Sequence, residues 1–296
     1  MTMENLTVSN SSVFTSAGVL TTSTVLGVCC ALGVPGNVAV LVMLVQHLKE
    51  GSFTPKLMMS LAVSDLLSLI FLPLWIYALL NGWSFGQGLC KFFSYVVYWS
   101  LYSSVFCLTL MSVQRYLQVL YSQRWAKLGR RGENGLICGI WILSGILGSY
   151  ALIYRTAGQI KKKMQCYPAY RNHQEKIAII LMETVVLFFL PLTCLVCFYL
   201  RLHKRISQSS SFNSHRLTKL AVRIVVTFFI FSTPCMINNI VQIAVPNNLD
   251  DSNDVTGALF FMNSCMNPFL YAFSARTLRC RDKAHSSHSH DTNPNE

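Results

Sequence analysis

Asp65, in the stretch LAVSDLL, is the one charged side chain between residues 57 and 80. A carboxyl among apolar neighbours is costly to keep unless polar partners reach it. Residues of the right kind recur in other apolar stretches: Asn37 after GVPG, Ser104 in the run that follows Cys90, and Asn263, Ser264 and Asn267 in MNSCMNPFLY. Carboxylate, amide and hydroxyl oxygens together suit a small hard cation that keeps some of its waters. Asp65, Ser104, Asn263 and Asn267 are therefore the expected sodium site. The alternative is a protonated Asp65 satisfied by those amides and hydroxyls. Arg115, in MSVQRYLQVL, poses a second question: it ends a long uncharged run, with Gln114 rather than an acid before it. Such a cation either anchors a helix end at lipid headgroups or serves a polar interface.

The elements that must hold these groups follow from the distribution of charge. Of the 296 residues 52% are apolar and 12% charged, about half the usual ~25% of a soluble protein. Four stretches carry no charge at all, 92–114, 134–154, 224–249 and 255–275, and each can cross a bilayer as a helix of ~20 residues. Stretches 19–45, 57–80 with Asp65 alone, and 177–200 with Glu183 alone complete seven spans. The expected fold is all-α, a seven-transmembrane helix bundle. Residues 1–18 form an outer segment, 19–273 the bundle, and 274–296 a short amphipathic helix and tail.

Lys and Arg set the orientation. Seventeen lie on the side of the first, third and fifth loops and the C-terminus, against seven on the other. The excess places the C-terminus in the cytoplasm and the N-terminus outside. The sequons at Asn5 and Asn10 then fall on the outer side as glycosylation sites. No basic segment precedes an early apolar core, so no cleavable signal is expected. The net charge of +12 reads as topology rather than nucleic-acid binding, because the cations sit in short loops beside the spans. Most of the eleven cysteines lie inside spans; Cys90 and Cys166 face the oxidising side and are expected to pair. Pro73, Pro191, Pro234 and Pro268 each interrupt a different span, which suits helices whose halves reorient.

Taken in order, Gly36-Asn37, LAVSD, Cys90, Arg115-Tyr116, Trp141, Pro191 with Tyr199, Pro234 and NPFLY give one signature per span. The set resembles the rhodopsin-like, class A G-protein-coupled receptors along nearly the whole chain. GVPGN, WSFG (83–86), IYRT (153–156), CYP (166–168) and the glutamate of METVVLFFLP (182–191) resemble the leukotriene B4 receptors, a group akin to chemoattractant and chemokine receptors.

The resemblance implies a plasma-membrane receptor in chemotactic and inflammatory signalling, not an enzyme. Its partners would be an anionic lipid ligand, a heterotrimeric G protein of the inhibitory family, membrane lipids and arrestin. Arg115 would face the G-protein cavity, with Tyr116, Tyr199, Tyr271, Phe228, Pro234, Asn267 and Pro268 in the activation path. An acid normally stands where Gln114 is, so a charge-assisted restraint on Arg115 is lost and basal signalling should rise. Tryptophan usually stands two residues before the span-six proline; here it is Ser232.

For the ligand, Arg155 and Glu183 match contacts of the leukotriene group, and Tyr102, Asn239 and Trp99 would add wall. Ser94 stands where a relative has histidine, Cys235 where it has tyrosine, and Asn253-Asp254 where it has Arg-Asn. A chemoattractant peptide drawn by this acidic rim is the alternative, as is a receptor-fold protein that binds ligand without signalling. Cys280 in FSARTLRCRDK is the expected palmitoylation site. A retinal protein is excluded by the lack of a lysine in span seven, and a transporter by the lack of internal repeats.

Overall fold

The structure is a computed structural model. It describes residues 3–47, 53–160 apart from 122, 124 and 126, 163–206, 212–244 and 256–269. Side chains are described from residue 17 onward, except at 46, 47, 115, 119, 199, 202–206 and 212–225. The expected tail helix, Cys280 and the rim at 250–254 lie outside what is described, as do the side chains of the sequons.

Six helical stretches are long and apolar enough to cross a membrane: Ala17–Val45, Phe53–Asn81, Gly86–Gln118, Gly129–Tyr154, His173–Phe198 and Val226–Ala244. They are spans one to six, and helix 256–269 is the described part of span seven. The helix of span one begins at Met3.

Span three is the axis of the bundle, packing against spans two, four, five and six. Its inner side chains Tyr102, Val105, Cys107, Leu108 and Met111 meet Leu57 and Leu61 of span two, Leu187 of span five and Phe228 of span six. The outer surface is the reverse of a soluble protein's. Val28, Leu32, Ile142, Ile146, Ile153, Ile230 and Ile237 stand exposed, facing where lipid would lie. Span four shows how packing is achieved without a hydrophobic driving force. Its buried positions are the small residues Ser144, Gly148 and Ala151, a stripe at helical spacing. A Cβ on Gly148 would stand 3.0 Å from the Trp99 backbone nitrogen, so a side chain there would push spans three and four apart by a few tenths of an ångström.

The prolines act where a missing N–H breaks the ladder. Span two is two helices, Phe53–Leu69 and Leu72–Asn81, the second restarted at Phe71 with proline in its first turn. In span five a π-helical turn, Val185–Phe189, comes just before Pro191. Pro234 does not interrupt its span as expected: the helix Phe212–Ala244 runs unbroken through it.

The segment after span four is not an irregular loop. Strands β1 (Arg155–Ile160) and β2 (Lys163–Pro168) form an antiparallel hairpin with Ala157 opposite Cys166. Cys166 is joined to Cys90 of span three with Cα atoms 5.6 Å apart. Three further contacts fasten the hairpin to the end of span two. The Trp83 N–H donates to the Met164 carbonyl at 2.8 Å. Lys163 Nζ donates to the carbonyls of Leu79 and Leu80, the open end of that helix. Gly82 turns the chain there with φ +94°, which a side chain would resist. Lys163 is thus a clamp for the hairpin, and its charge is already spent on a helix end.

Candidate functional site

Arg155 stands where span four ends. Its backbone is extended (φ −82°, ψ 131°) and its half-buried side chain turns to span three. Nη2 donates to the Tyr98 hydroxyl at 3.0 Å, and the guanidinium carbon lies 5.6 Å from the Tyr98 ring centre. Tyr98 packs on Tyr150 of span four with ring centres 5.0 Å apart, and the Tyr150 hydroxyl donates to Glu183 of span five. Cation and acid are therefore linked through two phenols. Tyr98 takes one of five guanidinium donors, so the charge faces a neutral partner. Tyr170, in the loop after β2, packs on Tyr154; burial pushes its phenol above the usual range, so it stays a donor.

Other expected pocket residues gather beside Glu183. The Tyr102 hydroxyl donates to Met182 Sδ at 3.4 Å, and Asn239 of span six donates to the Thr184 hydroxyl at 3.3 Å. Cys235 is half-buried on span six. Two residues point elsewhere. Trp99 donates to the Trp141 carbonyl at 2.8 Å and stacks on Tyr95, between spans three and four. Ser94 is buried against Cys166 Sγ at 3.8 Å, under the disulfide. The sequence reading missed Tyr98 and Tyr150. The signal for Tyr98 was its place one helical turn before Tyr102, on the same face of span three.

Asp65 is fully buried at the centre of the bundle. Ser104 donates to its Oδ1 at 3.1 Å and Asn267 to its Oδ2 at 2.7 Å. Asn37 donates to the carbonyls of Gly33 and Ser264, each at 3.0 Å, tying span one to span seven. Asn263 donates to the Ser232 hydroxyl at 3.1 Å, so the serine in place of the usual tryptophan joins span six to span seven. The Oδ1 atoms of Asn37 and Asn263 are buried acceptors without a partner among the described residues. A carboxylate with spare lone pairs, with unpartnered amide oxygens on spans one and seven, is the donor chemistry of a hard cation. Among the described residues no cluster of three His, Cys, Asp or Glu offers a transition-metal site.

At the end of the bundle away from the disulfide the helix of span three runs through Arg115 to Leu120. The side chains of Arg115 and Tyr199, and all of Tyr271, lie outside what is described. Tyr116 is buried against Phe198 with ring centres 4.8 Å apart. Gln114 is wholly buried; its Nε2 donates to Thr54 of span two at 2.9 Å and its Oε1 has no partner among the described residues. Lys56 pairs with Glu133 at 3.4 Å, a second tie from span two, here to span four. Phe228 is buried on span six, edge-on to Phe229 and Phe260, and borders an apolar gap with Val105, Leu108, Pro191 and Leu195.

Gln114→Asp would give that acceptor a charge and return an acid beside Arg115. Basal nucleotide exchange by a coupled G protein is expected to fall severalfold. Unchanged basal exchange at equal surface expression would count against the restraint argument.

The sequence model described as 7 transmembrane receptor (rhodopsin family) matches residues 36–271. G-protein coupled receptor E1 of Equine herpesvirus 2 is 30% identical over 271 residues, covering 83% of this chain and 69% of the relative. Leukotriene B4 receptor 1 of Homo sapiens is 31% identical over 262 residues, 83% of this chain and 74% of the relative. Chemerin-like receptor 2 of Mus musculus is 28% identical over 272 residues, 86% and 75% respectively. Crossing helices, a buried carboxylate shared by spans two, three and seven, and a match over most of the chain agree: the protein belongs to the rhodopsin family of seven-transmembrane receptors.

Proposed function

We propose that this receptor binds an anionic, hydroxylated lipid mediator of the leukotriene B4 kind and passes the signal to an inhibitory-family G protein. The observation that carries the reading is the Arg155–Tyr98–Tyr150–Glu183 chain. A guanidinium facing a phenol keeps its charge for a ligand carboxylate, with which it can form paired bonds. Glu183, at the other end, offers an acceptor to a ligand hydroxyl. The apolar walls of spans three, five and six suit a hydrocarbon chain between them. Binding would bias span six about Pro234, with Phe228 moving against spans three and five, and open the inner face around Arg115.

In the same reading the chain sits in the plasma membrane with its N-terminus outside, glycosylated at Asn5 and Asn10. Its C-terminus is cytoplasmic, held by a lipid on Cys280 and open to arrestin. Sodium would be held by Asp65 with Ser104, Asn263 and Asn267, supplying positive charge that steadies the resting bundle. A second reading, a chemoattractant-peptide receptor, is favoured by the resemblance to chemerin-like receptor 2.

The test is nucleotide exchange against leukotriene B4, other hydroxylated fatty acids and chemoattractant peptides. A lipid response is expected, weakened by Arg155→Ala about 10- to 100-fold, the worth of a charged hydrogen bond. A response to peptides alone moves the assignment to the second reading. Binding without exchange makes the chain a scavenger rather than a transducer.

A further inference from the structure

We infer that Gln87 is the positioning residue for Arg155: its side-chain amide clamps strand β1 to the outer end of span three and so sets where the guanidinium stands. The inference rests on the reading of Arg155 as the anion contact. Gln87 lies in the first turn of span three, and one side chain there serves three consecutive residues of the hairpin. Its Nε2 donates to the Arg155 carbonyl at 3.1 Å, and its Oε1 accepts from the Thr156 hydroxyl at 3.2 Å and the Ala157 N–H at 2.6 Å. These bonds fall where the chain leaves the helix of span four, with Arg155 as the capping residue. Polar backbone groups at such a change of direction need partners from outside the element.

The geometry separates this clamp from the disulfide. Gln87 and Cys90 are three residues apart and so share one face of the helix. Cys90 holds β2 through Cys166, and the residue opposite Cys166 is Ala157, whose N–H Gln87 receives. Both anchors therefore act on one rung of the hairpin, the covalent one on β2 and the amide on β1. The disulfide and the contacts of Met164 and Lys163 all hold β2. Without Gln87 the start of β1 would lose its side-chain anchor to span three and could shift about that rung. Arg155 begins β1, so a pivot moves its Cα and turns the guanidinium off Tyr98. A cation held in place before the ligand arrives binds an anion more tightly than one ordered on contact.

The test uses the whole receptor with leukotriene B4 and its methyl ester, which has the same hydrocarbon and hydroxyls but no charge. Gln87→Met keeps the length of the side chain and removes all three bonds. It is expected to weaken binding of the acid about tenfold and to leave the ester within about twofold. Thr156→Val, which removes one bond, should shift the acid in the same direction by less. In an Arg155→Ala background Gln87→Met should have no further effect on the acid. Equal losses for acid and ester, or additive losses in the double variant, would overturn the assignment. A receptor that binds neither probe refutes the lipid reading, and hydrogen exchange at the Ala157 amide then decides on the clamp. Faster exchange in Gln87→Met supports it, and unchanged protection ends it.

Discussion

Cys166→Ser is expected to remove most folded receptor from the cell surface and to abolish high-affinity ligand binding in what remains. The bond closes a loop of sequence separation 76, for which chain entropy alone gives about 4.5 kcal/mol. That is a large part of the ~5–15 kcal/mol by which folded domains usually exceed unfolded ones. Its local role is as large. Trp83, Cys90 and Phe93 form a buried cluster against Phe71, Trp75 and Phe85, and Cys166 and Ala157 of the hairpin complete it. Without the bond, the clamps at Gln87 and Lys163 hold the hairpin by hydrogen bonds alone. The rest of the bundle is held by other contacts, so helical content should persist while the hairpin end loosens. The measurements are surface staining, thermal unfolding of the solubilised protein, and ligand binding. Cys90→Ser should match Cys166→Ser, and the double variant should be no worse than either. Single variants that unfold at the wild-type temperature would show that the noncovalent anchors suffice.

The fold was legible wherever a single cost dominates. Ionised side chains are so expensive in hydrocarbon that their absence from 134–154 or 224–249 marks a span by itself. Cys90 and Cys166 could be paired because the other cysteines of the described spans sit among apolar neighbours. The hairpin was illegible for the opposite reason. RTAGQI has no alternation of apolar and polar residues, and its register depends on anchors remote in sequence, Cys90 and Gln87. Glu183 and Arg155 were visible as isolated charges, but what joins them was not. Tyrosine is common in such helices, and only the crossing of spans three and four singles out Tyr98 and Tyr150. Trp99 was equally ambiguous: its indole satisfies a carbonyl of span four that periodicity alone would not reveal. The π-helical turn ahead of Pro191 is a further case, since the proline announces a break but not its form.

Asp65 carries the other large effect. Asp65→Leu would strand the Ser104 hydroxyl and the Asn267 amide, both bonded to the carboxyl at the centre of the bundle. At about 1–3 kcal/mol for each buried donor left unpaired, the loss is about 2–6 kcal/mol. Signalling should go with it, because Asn267 is also the turn of span seven that carries Asn263, the partner of Ser232. Span six is thereby joined to the carboxylate through span seven, where the family's usual tryptophan would have packed instead. Asp65→Asn separates charge from shape. If Asp65 is ionised over a hard cation, thermal unfolding of the wild type is delayed in sodium chloride relative to choline chloride. Asp65→Asn then abolishes that difference. Should the wild type unfold alike in both salts while Asp65→Asn is as stable, the carboxyl is protonated and the ion site is wrong. Ser232→Ala completes the argument. It leaves Asp65 and its two donors intact and frees only the bond from Asn263, so sodium dependence should survive while span six loses its hold. Raised basal nucleotide exchange with unchanged salt response is the result that ties span six to this network through Ser232.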